Sequence, residues 1–219
     1  MPDKIKLIVF DLDGTLVDAY QAVAASLNHA LTSFGYPALD DLTIKRSVGW
    51  GDKNLVSKFV SGQDIDRVLS VYRLHHRSAL KSGTKFLPGA KQLLGQLKNE
   101  GYQLGIASNR PSRFTHIILK HLGVQSDFAA VVCADQVAAP KPAADCLEKI
   151  LKTCGVHPGD ALYVGDMTID IETGKNAGVR TVGVITGSST EEEIKQLKPA
   201  WIIHHISELQ NVLHALENK

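Results

Sequence analysis

The stretch Ile5-Lys6-Leu7-Ile8-Val9-Phe10-Asp11-Leu12-Asp13-Gly14-Thr15 decides how the rest of the chain is read. Its first six residues form a nearly continuous β-branched and apolar run, the pattern of a strand buried on both faces. The run stops at two acids one residue apart, and Gly14 then lets the chain turn away. In a parallel sheet, ligands bind at the carboxyl ends of strands. Two carboxyls placed there oppose each other's ionisation, so a cation is expected nearby. Taken alone, the same residues also read as an acidic turn, for which Asp-Gly is ordinary chemistry.

Similar short runs recur at Gln103–Ala107, Ala130–Cys133, Ala161–Val164, Thr181–Ile185 and Trp201–Ile203. Helical patterns lie between them. Pro88 opens one, Leu93, Leu94 and Leu97 give it an apolar face, and Gly101 stops it. Ser207 and Gln210 suggest a capping box for the last, which buries Leu209, Val212, Leu213 and Leu216. Strand–helix alternation predicts an α/β fold, a doubly wound parallel sheet covered on both faces.

One segment breaks the alternation. From Val17 to Lys85 the sequence shows helical periodicity and no buried strand. Val23, Leu27, Ala30, Leu31 and Phe34 form one stripe, ended by Gly35 and Pro37. Leu55, Val56, Phe59 and Val60 suggest a second helix, and Ile65, Leu69, Tyr72 and His76 a third. The expected organisation is a core of residues 1–16 and 86–219 with a helical insertion at 17–85. The chain's 219 residues come to about one and a half domains at about 150 residues each, which suits a sheet plus a small insertion.

Composition narrows the function classes. At 44% hydrophobic and 21% charged the chain can bury a sizeable core. Its 24 Lys and Arg against 23 Asp and Glu leave a net charge of +1, so there is no basic excess for a nucleic-acid backbone. No apolar stretch approaches the roughly 18 residues of a spanning helix. The start, with Asp3, Lys4 and Lys6 before a short apolar run, does not match a signal peptide. Cys133, Cys146 and Cys154 form no CxxC pair and read as reduced residues, not a disulfide frame or zinc site. A cytoplasmic protein, monomer or homodimer, is expected.

A second acidic site sharpens the first. The run Ala161–Val164 leads into Gly165-Asp166-Met167-Thr168-Ile169-Asp170. If Asp166 to Asp170 forms a helical turn, the i, i+4 spacing puts both carboxylates on one face. Four acids from two strand ends suit a hard divalent cation, and Mg²⁺ favours a few carboxylates together with water and phosphate. Ser108, at another strand end, could donate to a phosphate oxygen or cap a helix. Lys141 stands between Pro140 and Pro142, whose fixed φ could aim an ammonium or could simply rigidify a solvated loop.

Asp11-Leu-Asp-Gly-Thr15, Ser108, Lys141-Pro142 and Gly165-Asp166-x-x-x-Asp170 resemble the four ordered motifs of the haloacid dehalogenase superfamily, over essentially the whole chain. The insertion after the first motif is similar to the helical cap of the phosphoglycolate phosphatase-like and β-phosphoglucomutase-like members. Gly174–Val184 is similar to the segment that follows the fourth motif there. Ala19 and Ala144 depart from residues common in the family, and Asn109-Arg110 stands where Asn-Lys is more usual. That last difference puts an exact substrate transfer from phosphoglycolate phosphatase in doubt.

The resemblance implies a Mg²⁺-dependent phosphatase acting on a small phosphorylated metabolite through an aspartyl-phosphate. An ionised carboxylate needs no activating base, so Asp11 suits the nucleophile. Asp13 suits general acid–base work. By resemblance the metal is held by the Asp11 carboxylate, the Asp13 main-chain carbonyl and Asp166, with Asp170 acting through water or by orienting Lys141. Lys141 and Ser108 would offset and bind phosphoryl oxygens, in a pocket shared with Gly14, Thr15, Asn109 and Arg110. The Asp13 partner argues for phosphoryl transfer over dehalogenation, which by resemblance lacks this pair.

The insertion should choose the substrate by closing over the site. In the loop Arg46-Ser47-Val48-Gly49-Trp50-Gly51, Arg46 could pair with a substrate carboxylate or second phosphate, or could lie in solvent. His75, His76 and Arg77 are weaker candidates for the same role, since histidines on a helix are more often surface or satisfied core groups. A pyrophosphatase, a phosphosugar mutase and a non-catalytic phosphate-binding protein are the alternatives. Clustered buried charges argue against the last.

Overall fold

The computed structural model describes residues 5–217. Asp3 and Lys4, which bear on the signal-peptide reading, lie outside the described residues, as do the extreme ends of the expected core segments.

Six parallel strands form the main sheet: β1 (Leu7–Phe10), β4 (Gln103–Ser108), β5 (Ala130–Cys133), β6 (Ala161–Gly165), β7 (Arg180–Val184) and β8 (Trp201–Ile203). Their order is β5-β4-β1-β6-β7-β8, so β1 is central and the chain steps to one side of it and then to the other. Alternation along β1 explains its unbroken apolar run. Ile8 and Phe10 enter the core shared with α5 (Ala90–Asn99), α6 (Ser112–His121) and α10 (Leu209–Glu217). Leu7 and Val9 face the opposite layer, where Cys146, Leu147, Ile150 and Leu151 of α7 (Asp145–Cys154) pack. The remaining core helices are α8 (Thr168–Asn176) and α9 (Glu191–Gln196). Phe10, the last residue of β1, pairs in register with Ile106 and Val164, and β4 and β6 run on one or two residues past it, so the three carboxyl ends lie together. The crevice lies there, where the strand order reverses.

The insertion has four helices rather than three: α1 (Tyr20–Ser33), α2 (Asp41–Ser47), α3 (Asp52–Ser57) and α4 (Asp64–Ser82). They enclose a separate apolar core including Val23, Leu27, Leu31, Ile44, Leu55, Val56, Val68 and Tyr72. The additional helix, α2, buries only Ile44 and so has no stripe to read. Its start is fixed locally instead, by Asp40 accepting from the Thr43 amide at 2.9 Å.

The stretch from Val17 to Lys85 is not free of strand. Val17–Asp18 (β2) pairs antiparallel with Lys85–Phe86 (β3), a ribbon too short to show periodicity. The last helix also starts differently, since Glu208, not Gln210, reaches back to the His205 amide at 3.0 Å. No helix among the described residues is long and apolar enough to cross a membrane. Cys133, Cys146 and Cys154 are free thiols, the first two buried.

Candidate active site

Asp11 follows β1 directly, and its amide donates to Val164 O on β6 at 2.8 Å. Gly14 then turns the chain with φ +84°. A Cβ there would lie 2.7 Å from both an Asp166 oxygen and the Tyr20 hydroxyl, so the close approach requires glycine. Asp166 follows β6. It lies in the bend before α8, not on that helix, which corrects the single helical face expected for Asp166 and Asp170. Asp170 reaches the site from the helix's first turn, with its second oxygen accepting from the Met167 amide at 3.0 Å.

Lys141 ties these pieces together. Its Nζ lies 2.6 Å from Asp11, 2.7 Å from Asp170, and 3.1 Å from both Tyr163 Oη and Ala107 O. Its position is set less by the flanking prolines than by Asn109, whose Oδ1 accepts from the Lys141 amide and whose Nδ2 donates to the Lys141 carbonyl. Burial works against the ammonium, but Asp11 and Asp170 hold it well above its ordinary range.

The carboxylates carry a charge deficit. Oxygens of Asp11, Asp166 and Asp170 all lie within 4.8 Å of one another, and all three residues are buried. Burial pushes the Asp11 carboxyl up to about 7, with Lys141 pulling the other way and Asp170 adding to the push. Burial, then Asp11 and Asp170, drive Asp166 well above the carboxylate range, against donation from the Ser188 amide and Thr15 Oγ1. The one ammonium touches Asp11 and Asp170, and Asp166 has only the Thr15 hydroxyl and the Ser188 amide. A divalent cation would supply the missing charge, so the residues fit a metal site.

Asp13 stands apart from that trio. Its oxygens accept from Arg110 Nε at 2.8 Å and Nη2 at 2.7 Å, a bidentate pair beside the acids. Ser108, at the tip of β4, is 3% exposed and accepts from the Arg110 amide at 3.2 Å. Asp11, Asp13, Ser108, Asn109, Arg110 and Lys141 all line one cavity of about 70 Å³. Its far wall comes from the insertion and α8, through Val23, Val48, Leu55, Tyr72, Met167 and Ile169.

Three expected substrate contacts are engaged elsewhere. Thr15 Oγ1 donates to Asp166 at 2.9 Å, so its hydroxyl orients an acid. Asn109 Nδ2 donates to Gly49 O on the insertion as well as to Lys141 O, which spends the amide on joining the two layers. Arg46 lies at the end of α2, not in a loop, and does not line the cavity. It pairs with Glu193 at 2.9 Å and donates to Ser188 O, because α2 packs beside the segment after β7. That segment also contributes Ser188 Oγ, which donates to Lys45 O at 2.9 Å.

Sequence reading missed Tyr163, Ser188 and Tyr20, and left His76 undecided. Tyr163 Oη donates to Asp170 at 2.8 Å, and Tyr20 and Ser188 share a hydroxyl contact at 3.1 Å. A hydroxyl inside an otherwise apolar buried strand was the available signal for Tyr163. His76 is fully buried on α4, stacked on Tyr72 and 2.7 Å from Arg110 Nη1.

Known proteins are similar to this chain in sequence and fold. The family model described as haloacid dehalogenase-like hydrolase matches residues 8–184. A phosphoglycolate phosphatase of Mesorhizobium japonicum is 30% identical over 210 residues, covering 93% of this chain and 92% of that protein. Another, of Rhodospirillum rubrum, is 33% identical over 197 residues, covering 85% and 82%. A crystal structure from Haemophilus somnus, described as a predicted phosphoglycolate phosphatase, superposes with a TM-score of 0.89 at 26% identity, covering 95% of this chain and 97% of that one.

Proposed function

The chain belongs to the haloacid dehalogenase-like hydrolase family and is a phosphatase, and from that premise we propose that it hydrolyses a small phosphate monoester, phosphoglycolate-like in class, with Mg²⁺ as cofactor. The observation that carries this reading is Asp11, a buried carboxylate facing the cavity with Lys141 2.6 Å behind it.

An Asp11 oxygen attacks phosphorus, the phosphorus–oxygen bond to the leaving group breaks, and the leaving oxygen takes a proton from Asp13. Asp13 then takes a proton from water, whose oxygen attacks the aspartyl-phosphate, frees inorganic phosphate and restores Asp11. Lys141 holds Asp11 in line and offsets charge, and Ser108 with nearby amides binds phosphoryl oxygens. Asp11, Asp166, Asp170 and the Asp13 main-chain carbonyl are the groups that would hold Mg²⁺. When bound, the ion neutralises charge that accumulates on the phosphoryl group.

The helical insertion, 17–85, serves as a cap over the core of 1–16 and 86–219. The insertion supplies Val23, Val48, Leu55 and Tyr72 to the cavity, so the leaving group would meet the cap. The test is a screen of phosphoglycolate, pyrophosphate, ethyl phosphate and a phosphohexose with its bisphosphate, each with Mg²⁺. Phosphate release from the short esters is expected. Sugar isomer formed without free phosphate, or pyrophosphate as the sole substrate, overturns the reading.

A further inference from the structure

Two cations line the cavity, and they are committed differently. Lys141 has three hydrogens and four oxygens within reach, so it has no donor to spare. A guanidinium has five N–H donors. Asp13 takes the Nε hydrogen and one on Nη2, and His76 takes one on Nη1. One hydrogen on each terminal nitrogen is left. A carboxylate is the anion that a guanidinium with two free donors binds best.

The guanidinium is also fixed from behind. Arginine offers no acceptor, so the Nε2 of His76 must accept, and the ring proton sits on Nδ1. That proton faces Ser26 Oγ at 3.1 Å and Ala22 O at 3.3 Å on α1. Tyr72 stacks on the imidazole and Phe114 of α6 meets it edge-on. A contact chain therefore runs from the backbone of the cap, through His76 and Arg110, to Asp13 in the core. Side-chain exposure of Arg110 is 9%, so water competes little for its two remaining donors.

We infer that Arg110 is the specificity-determining residue for the leaving group: its two remaining donors take a second anionic group, a carboxylate, and His76 is the positioning residue that aims it. This rests on the phosphatase reading in one respect, that the ester oxygen sits at Asp13. Because Arg110 touches Asp13 at 2.7 and 2.8 Å, the carboxylate must lie within a few bonds of that oxygen. The substrate class is thus a short phosphooxy-carboxylate. A neutral alcohol offers the two donors no anionic partner, so the charge-assisted bonds that the matching anion makes are lost.

The test separates recognition from chemistry. Calorimetry with Mg²⁺ compares 3-phosphonopropionate with propylphosphonate, which differ in the carboxylate and cannot be hydrolysed. Turnover compares phosphoglycolate with ethyl phosphate. The wild type should favour the carboxylate in both by about ten- to a hundredfold, the worth of one charged contact. Arg110→Met should bring both ratios close to one, with Arg110→Lys retaining part. His76→Phe should shrink the ratio through KM more than kcat, and His76→Gln, which can still accept from Nη1, should restore it.

A wild-type ratio near one, or a ratio that survives Arg110→Met, overturns the inference. Equal ratios in His76→Phe and wild type overturn the positioning role. Selective binding without phosphate release from any ester defeats the phosphatase reading alone. Phosphate release without selectivity defeats this inference alone.

Discussion

The floor and the roof of the cavity are built on opposite principles. On the floor, Asp11 and Asp166 are buried charges that follow two neighbouring strands, and Asp170 from α8 and Lys141 from a loop join them. On the roof, Val23, Val48, Leu55 and Tyr72 are apolar, and they belong to a helical body with its own core, tethered by the two-residue strands β2 and β3. The floor concentrates buried charge around Lys141. The roof brings one charge to the cavity, Asp52, which Arg73 pairs, and it touches the floor at a few polar points, chiefly Arg110–His76, Asn109–Gly49 and Arg46–Glu193. The buried charges of the floor and the cap contacts of the roof can therefore be altered separately, and four substitutions probe that separation.

The largest effect belongs to Asp11→Asn. Turnover with Mg²⁺ on any ester should fall by at least about a thousandfold, since the nucleophile is gone. Stability should move the other way or not at all. Asp11 is pushed up to about 7, so in the metal-free protein its ionised form is a burden that Asn lifts, while Asn Oδ1 still accepts from Lys141. A thermal melt without metal should show Tm unchanged or raised. A lowered Tm would mean the floor is held together by its charges and not in spite of them.

Gly165→Ala tests how rigid the floor is. A Cβ there would overlap the Asp170 side chain, whose oxygens are already bound to Lys141, Tyr163 and the Met167 amide. The substitution should cost stability at the upper end of about 1–3 kcal/mol, read by urea unfolding, and should lower turnover on every ester alike. A change confined to one ester would show that floor and roof are not separable.

The same division governed what could be read in advance. Acids at strand ends are legible because topology alone places them, so Asp11, Asp13, Asp166 and Asp170 all stand at that edge. The direction of a neutral polar side chain is not legible. Thr15 and Asn109 lie beside the motifs, yet Thr15 turns to Asp166, 151 positions away, and Asn109 to Lys141 and Gly49. Those partners exist only once the sheet is assembled. Helix α2 escaped because one buried residue gives no period, and β2 and β3 because two residues cannot alternate. His76 looked like any helical histidine, and only the Arg110 opposite gives it work.

His76 also predicts a pH effect confined to the roof. Burial, then Arg110, pushes the imidazole down to about 2, and His75 adds slightly. Between its ordinary value near 6.5 and about 2, the unfolded chain binds a proton that the folded protein refuses. The contribution is therefore full above pH 6.5 and is lost as pH falls. At about 1.4 kcal/mol per pH unit, unfolding free energy should drop by about 2 kcal/mol from pH 7 to pH 5 on this account. His76→Gln should remove that part of the slope when urea unfolding is compared at the two pH values. An identical slope in both proteins would show the imidazole to be protonated in place, and the contact to Arg110 to be broken when it is.

Arg46→Ala should do least, and for that reason it discriminates best between two uses of the cap. Arg46 and Glu193 are 44% and 42% exposed, so their pairing is screened and worth no more than about 1 kcal/mol. The Ser188 carbonyl accepts one further hydrogen bond from Arg46. If Arg46 only latches the cap to the segment after β7, its loss should raise KM a few-fold for phosphoglycolate and ethyl phosphate alike, and added salt should reproduce much of the change in the wild type. The two esters must be compared at one ionic strength, because the latch and the substrate charge respond to salt together. A KM increase of tenfold or more for phosphoglycolate alone would place Arg46 against the carboxylate with the cap in another position. The roof would then carry the selective charge, and Arg110 would be left with Asp13 as its only anion.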